Sequence, residues 1–345
     1  MAKRRRNRAA RPGWLDRQWQ RMLASTWYPR ARRIAHTVWF APLWKTLTVM
    51  ALVLSAVIVF GATRSSNGRI STPDITATVS PSPTPTPPAA STPEPTASGP
   101  GLEALQTQIS RIESRYDVQI GVAVTGVSPV GSQLTATWTA GSVASAPAWG
   151  TIDLPIALAA NRLTTSPPNF TYMLTKSISE SSLSSDEALY SFLGDSATAA
   201  GKTTDVLRAF GDRATTVTTS TSRQGVPAFT QTEWSVTSQA QFASQLWCSS
   251  EDAFIRSRMN FVDSEHSYGF GQIVSSLIKT SEGTDESDRP VVRQLAIVPT
   301  AQADRVGVGL VVIGNKNDLT GARLAASAVA SQVYFGASGV NGGHC

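Results

Sequence analysis

Soft metal ligands are scarce in this 345-residue chain, which holds two cysteines and three histidines. We therefore expect no metal site and no cofactor, because zinc sites need about four such side chains. The low cysteine content also excludes a disulfide-rich secreted scaffold. A Ser-His-Asp triad is not expected either, since His266 and His344 are the only histidines after residue 45 and neither has a recognisable catalytic setting.

Positive charge is concentrated in the first part of the chain. Residues 1–45 carry twelve Lys or Arg against one acid, a net charge of +11, while the remaining 18 Lys or Arg face 23 acids, a net charge of −5. The overall charge of +6 thus comes from a basic head on a mildly acidic body. Because this charge adjoins an apolar run, we expect no nucleic-acid partner.

One long apolar run is present, at residues 46–63, where the sequence TLTVMALVLSAVIVFGAT contains no charge. Its length suits a hydrocarbon core of about 30 Å. A buried core helix would lack partners nearby, and a cleaved signal peptide would begin closer to the first residue. We predict a single uncleaved transmembrane helix in the cell membrane, with a cytoplasmic N-terminus and the body outside, because the preceding residues are basic.

The segments on either side of this run differ in composition. In residues 1–45, five Trp are interleaved with Arg. This pattern predicts a topology-setting basic tail, with an interfacial helix on anionic lipid around residues 12–22 as the alternative. We therefore predict membrane lipid as a partner of the head and the span. Residues 64–100 are rich in Pro, Thr and Ser and predict a disordered, extended linker, whose hydroxyls are candidates for O-glycosylation.

Residues 101–345 predict one α+β domain. A helix with apolar spacing opens it (LEALQTQISRIESRY), followed by two period-two strands in VQIGVAVTGV and QLTATWTAG. Helical patterns occupy 152–164, 169–179, 186–193, 197–211, 235–246 and 251–261. Two apolar strands, RQLAIV and VGVGLVVIG, precede a last helix over 319–335. This order predicts an antiparallel sheet built from both ends of the domain, covered by helices and joined to a helical lobe.

Several short strings together resemble the serine β-lactamase and penicillin-binding protein superfamily. AWGTIDLPIALAA, SSDEALYSFLG, YGFGQ and LIKTSEG, followed by VRQLAIV, occur in that family's order and approximate spacing. The resemblance implies a serine nucleophile and a lysine in an SxxK motif at the start of a buried helix. It also implies that an SDN triplet and a KTG triplet on a strand form the far walls and hold the substrate carboxylate.

The match to these motifs is partial. Gly150 stands where the resemblance places the nucleophile, and Asp153 stands where it places the lysine. An acid there reverses the charge that would help lower the pKa of a nucleophile. The catalytic serine and lysine are therefore both absent, and the resemblance is to a degenerate member of the family.

The remaining motifs define a candidate cleft. Ser185 and Asp186 match the first two positions of SDN, with Glu187 in place of the amide. Lys279 and Thr280 match KT, with serine in place of the glycine. Together with Thr151, these five residues are the candidate cleft side chains.

Local readings of the same residues stay open. Gly150 can cap a helix with Asp153 at its N3 position, where a negative charge favours the helix dipole. Lys279 can be a solvated loop residue. An active hydrolase would need a displaced nucleophile, either Thr151 or Ser185, the latter paired with Lys279. On a helix, a shift by one residue turns the side chain by about 100°, away from its activating groups.

Cys248 and Cys345 are candidates for a disulfide in an oxidising compartment, and free thiols are the alternative. The whole sequence predicts a membrane-anchored extracytoplasmic pseudoenzyme that binds or scaffolds cell-wall material or cell-envelope proteins. Peptidoglycan and cell-wall assembly proteins are its expected partners. The alternatives are a serine hydrolase or peptidase with a displaced nucleophile, and an assembly factor whose basic head carries the function.

Overall fold

A computed structural model describes residues 100–345 except 133, 134, 164, 166, 167, 301–303, 337–339 and 341. The predicted basic head (1–45), transmembrane helix (46–63) and nearly all of the linker (64–100) lie outside the described residues. Within the described part, no helix has the length and apolar character needed to cross a membrane.

Five antiparallel strands form the central sheet, in the order β2-β1-β7-β6-β5. The strands are β1 (Gln119–Gly126), β2 (Thr137–Gly141), β5 (Leu277–Thr284), β6 (Pro290–Pro299) and β7 (Arg305–Ile313). The three inner strands β1, β7 and β6 are buried at nearly every position, because helices cover both faces. Strands from both ends of the domain therefore share one sheet, as the sequence predicts.

Two terminal helices cover one face of the sheet. Helices α1 (Pro100–Tyr116) and α8 (Leu319–Gly336) pack against each other and against the sheet. The apolar spacing of α1 places Leu102, Leu105 and Ile109 in this core, where each is at most 3% exposed. The amphipathic pattern that predicts α1 is thus the pattern that attaches it to the sheet.

The other face carries α6 (Val236–Cys248), which lies unusually close to β7. A Cβ on Gly307 would lie 2.4 Å from the Ala240 carbonyl oxygen, and one on Gly309 would lie 2.3 Å from the Val236 carbonyl oxygen. Glycine is required at both positions because helix and strand backbones are in direct contact. Beside them, β3 (Ser145–Pro147) and β4 (Glu233–Ser235) form a separate two-stranded sheet.

A helical lobe completes the domain. It contains α2 (Asp153–Asn161), α3 (Phe170–Glu180), α4 (Leu183–Phe192), α5 (Ser196–Ala209) and α7 (Ala253–Arg258), which pack around a second core cluster. Each corresponds to a predicted helix, with ends that differ by a few residues. A 3₁₀ turn, Trp149–Ile152, connects β3 to α2.

The C-terminal tail returns to the body of the domain. Cys345 forms a disulfide with Cys248 at the end of α6, with 5.4 Å between their Cα atoms. Gly343 also forms an antiparallel bridge with Arg305 at the start of β7. Neither cysteine is therefore a free thiol in this structure.

Candidate functional site

Gly150 lies in the 3₁₀ turn before α2, next to strand β5. Its backbone N–H donates a hydrogen bond of 2.6 Å to the Ser281 Oγ. A Cβ at Gly150 would lie 2.9 Å from both this oxygen and the Asp153 Oδ2. A side chain at this position would therefore displace its neighbours, so the environment is fitted to glycine.

Asp153 and Lys279 form an ion pair inside the protein. Asp153 Oδ2 lies 3.0 Å from Lys279 Nζ, and both side chains are 0% exposed. The ammonium group also donates to the Ser177 carbonyl oxygen at 2.6 Å and to the Ser181 Oγ at 2.9 Å. One ion pair and two hydrogen bonds thus hold this ammonium group in place.

This geometry contradicts two local interpretations of the sequence. One is that Asp153 serves as a helix-capping charge after Gly150, and the other is that Lys279 is a solvated loop residue. The helix begins at Asp153 rather than after Gly150, and the Asp153 carboxylate faces Lys279 instead of capping the helix. Lys279 is not a solvated loop residue, because it lies on β5 and is fully buried. A buried charge is tolerated only when it is paired, and the pairing crosses from α2 to the sheet.

A second carboxyl group, Asp186 on α4, joins this pair. Burial raises the pKa of Asp153 well above its usual range, and the charge on Asp186 raises it further. Burial likewise raises the pKa of Asp186 to about 6, despite the opposing effect of Lys279. Two acids and one cation are therefore enclosed together, and the least costly state has one proton on the two carboxyl groups.

A cavity of about 250 Å³ lies above this group. Its walls come from the 3₁₀ turn, from the connection between α3 and α4, from the loop before β4 and from β5. The lining residues are Trp149, Gly150, Ser181, Leu183, Asp186, Gly225, Val226, Pro227, Thr230, His266, Ser281 and Glu282.

The two triplets contain five of the predicted cleft residues. Of these five, only Asp186 lines this cavity. Ser185 is buried and its hydroxyl approaches the Ser182 hydroxyl at 3.3 Å, while Glu187 is exposed on α4. Lys279 and Thr280 lie behind the wall, at 0% and 1% exposure. Helix α4 turns Ser185 and Glu187 away because neighbouring helix positions differ by about 100°.

Thr151 does not line the cavity either. Its hydroxyl donates to the Ala148 carbonyl oxygen at 2.6 Å, and the residue is 0% exposed. The turn of the chain after Gly150 directs the Thr151 side chain into the protein interior.

The serine that contacts the buried lysine is Ser181. It occupies a left-handed position between α3 and α4, with φ 50°, and its hydroxyl donates to the Thr280 carbonyl oxygen at 2.9 Å. Sequence reasoning favoured Ser185 because the following aspartate matches the triplet. Around Ser181 the sequence reads SSL, which keeps only the serine, so the motif itself gives no signal for it.

The rim of the cavity contains a further acid that is already paired. Glu282 receives two bonds from Arg323, at 2.6 and 2.7 Å, and a third from the Tyr268 hydroxyl at 2.7 Å. Burial and this neighbouring carboxylate raise the pKa of Tyr268 far above its usual range, so the phenol stays protonated. Sequence reasoning also missed His266 in the wall, whose Nδ1 lies 2.7 Å from Asp263 Oδ1.

Comparison with known proteins gives a result at the level of the fold. No family model and no curated protein sequence matches the chain. Solved structures do: the TLA-3 extended-spectrum β-lactamase has a TM-score of 0.55 at 12% identity, over 68% of this chain and 98% of that chain. A β-lactamase from Xanthomonas campestris pv. campestris has a TM-score of 0.51 at 15% identity, over 69% and 99%.

The chain has a serine β-lactamase-like fold. A class A β-lactamase representative from Bacteroides cellulosilyticus gives the same result, with a TM-score of 0.50 at 12% identity, over 68% of this chain and 98% of that chain. Nearly the whole of each β-lactamase is thus matched by part of this chain. Among the described residues, no cluster of His, Cys, Asp or Glu could hold a metal ion in this β-lactamase-like domain.

Proposed function

We propose that this protein is a membrane-anchored extracytoplasmic pseudoenzyme, in which the β-lactamase-like domain binds or scaffolds cell-wall material or cell-envelope proteins. The single observation that carries the proposal is Gly150. It provides no oxygen for acylation, and a Cβ there would lie 2.9 Å from Ser281 Oγ and Asp153 Oδ2.

The groups that could stabilise negative charge during acyl transfer already have partners within the protein. Acyl transfer needs backbone N–H groups that point freely at the developing oxyanion. Here the Gly150 N–H is bonded to the Ser281 hydroxyl at 2.6 Å. Lys279, whose ammonium group lies behind the cavity wall, is paired with Asp153 and donates hydrogen bonds to Ser177 and Ser181. These contacts support a closed, inactive arrangement.

Two features support the location outside the membrane. The disulfide between Cys248 and Cys345 fits an oxidising compartment. The uncharged run at 46–63, with basic residues before it, fits an anchor that leaves the domain outside. The Pro/Thr/Ser-rich linker would then hold the domain at a distance from the membrane.

Intact-mass spectrometry of the full chain tests the proposal. The protein is incubated with a fluorescent penicillin and, separately, with a fluorophosphonate, beside a class A β-lactamase as positive control. We expect no adduct on a sample whose folding is established by a cooperative thermal transition. A stoichiometric adduct would overturn the pseudoenzyme proposal, and peptide mapping would then show whether Thr151, Ser185 or Ser181 is the displaced nucleophile.

A deletion pair separates scaffolding by the domain from action by the head. If the domain carries the function, removal of residues 101–345 abolishes it and removal of residues 1–40 leaves its ligand binding intact. The opposite result would favour an assembly factor in which the Arg/Trp head acts and the domain only anchors it.

A further inference from the structure

The cavity above Asp186 combines apolar walls with one available acid. Trp149, Leu183, Val226 and Pro227 contribute apolar surface. Its volume of about 250 Å³ lies below the roughly 300–1,000 Å³ of pockets that hold drug-sized ligands. The space therefore suits one side chain or one end of a larger ligand.

The cations around the cavity are not available to an anionic ligand. Lys279 is 0% exposed and bonded to three neighbours. Arg223 donates to the carbonyl oxygens of Thr284 and Asp285, beside the Trp149 ring. Arg323 is bonded through two nitrogens to Glu282. A ligand carboxylate would find no free positive charge here.

Asp186 is in the opposite situation. It lines the cavity and is 3% exposed. The Ser177 hydroxyl and the Asp153 carboxyl lie close enough to lower the pKa of Asp186 against the effect of burial. Neither has good hydrogen-bond geometry to Oδ1, which is buried without a partner among the described residues. Because Oδ1 is itself shielded from solvent, a cation in the cavity would act on Asp186 through its charge, across the part of the residue that lines the wall.

We propose that the cavity binds the ammonium group of a primary amine on an aliphatic stem, as in a diamino-acid side chain, with the Asp186 carboxylate as its counter-ion. The Trp149 ring and the apolar residues of the wall would cover the stem. This inference rests on the proposed function, because it assigns a ligand class to the same non-acylating cleft. It reverses the charge preference that the family resemblance implies for the cleft.

The proposal requires ionised Asp186, so binding must depend on pH. The charged groups near Asp186 are Asp153 and Lys279, with Glu187 next to it on α4, and the titratable residues His266 and Glu282 line the same cavity. A primary amine is charged below about pH 10, so the change in affinity comes from the protein. We expect binding to strengthen as the pH rises through about 6, the pKa of Asp186.

Ligand-observed NMR titration of the full chain tests the proposal with three probes of one shape. Nα-acetyl-lysine amide carries the ammonium, Nα-acetyl-norleucine amide is neutral, and Nα-acetyl-α-aminoadipate amide carries a carboxylate. We expect the lysine probe to bind at least about tenfold more tightly than either other probe at pH 7.5, since a charge-assisted bond contributes about 1.5–3 kcal/mol. Equal binding of the three, or none, would overturn the proposal. A preference for the D form of the lysine probe would exclude a protein lysine, which is always L, as the source of the amine.

Asp186→Asn should remove the preference for the lysine probe, while Asp205→Asn, at an exposed position on α5, should keep it. The pH series uses the unmodified chain, so it tests the proposal even if Asp186→Asn fails to fold. Intact mass after penicillin treatment is recorded on the same sample. Absence of amine binding without an adduct would end this inference alone, whereas an adduct would end the proposed function.

Discussion

Two of the groups of buried charge in this domain differ in their partners. Arg293 on β6 is 0% exposed and donates to Ala146 O, Trp234 O and Gln239 Oε1, each at 3.0 Å. All three acceptors are neutral, and burial lowers the pKa of Arg293 to about 10. Asp153, Asp186 and Lys279, in contrast, contain two acids for one base and adjoin a cavity.

The difference separates a structural role from the binding role that we propose. Arg293 joins β3 and β4 to the main sheet through fixed bonds, and its charge does not change near neutral pH. In the Asp153–Asp186–Lys279 group, burial raises the pKa of both acids, so its charge changes nearer to neutral pH. Substitutions in the two groups should therefore change the stability with different pH dependence.

The largest effect is expected for Arg293→Leu. The variant leaves three buried acceptors without donors, so we expect a loss of about 3–5 kcal/mol in the free energy of unfolding at any pH from 5 to 7.5. Urea denaturation measures it, with Arg111→Leu on the exposed face of α1 as control. A loss below about 1 kcal/mol would show that Arg293 does not hold the two sheets together.

Lys279→Met should come next, with a clear pH dependence. At pH 7.5 it leaves two buried carboxyl groups without a cation, and we expect a loss of about 2–4 kcal/mol. At pH 5 both acids accept protons more readily, so the loss should shrink. An equal loss at both pH values would mean that the lysine acts through packing rather than charge.

Asp186→Asn should stabilise the domain. The folded-state pKa of Asp186 is raised to about 6 from 3.8, so the folded state binds the proton more tightly than the unfolded state. Its contribution is full below about pH 4 and is lost as the pH rises through about 6. We expect the variant to gain about 1–3 kcal/mol at pH 7.5 and little at pH 4. Thermal unfolding across this range checks the sign, and destabilisation at pH 7.5 would contradict it.

Gly150→Ser should have the smallest effect on stability and none on acylation. The new Cβ contacts Asp153 and Ser281, so we expect a loss of about 1–2 kcal/mol. Penicillin should still leave no adduct, because Asp153 cannot replace the missing lysine. Gly201→Ser, where a Cβ meets nothing within 4 Å, is the matched control. Rapid acylation of Gly150→Ser would show that glycine alone disables the site.

The parts of this fold that can be predicted from the sequence are those with a clear local pattern of apolar residues. Helix α1 is evident because Leu102, Leu105 and Ile109 recur at helical spacing, and the inner strands are evident from continuous apolar runs. Strands β3 and β4 are three residues each, and their pairing joins Ala146 to Trp234 across the chain. No local signal marks such short strands, because their pairing and their hydrogen bonds with Arg293 join residues that are far apart in the sequence.

The site shows the same limit. The sequence marks Gly150 and Asp153 as unusual within a motif, which needs only local comparison. That Asp153 pairs with Lys279 depends on the packing of α2 against β5. Ser181 is still harder to find, because the left-handed turn between two helices, and no motif, brings its hydroxyl to the lysine.

The disulfide described above has a mechanical consequence. Cys248 and Cys345 are 97 residues apart, and the covalent loop between them contains β5, β6, β7 and α8. A force applied between the linker and the last residue would pass from Cys248 directly to Cys345. The loop that carries Lys279 and Ser281 would bear no tension along its own backbone, and force would reach it only through non-covalent contacts such as the pairing of β7 with β1.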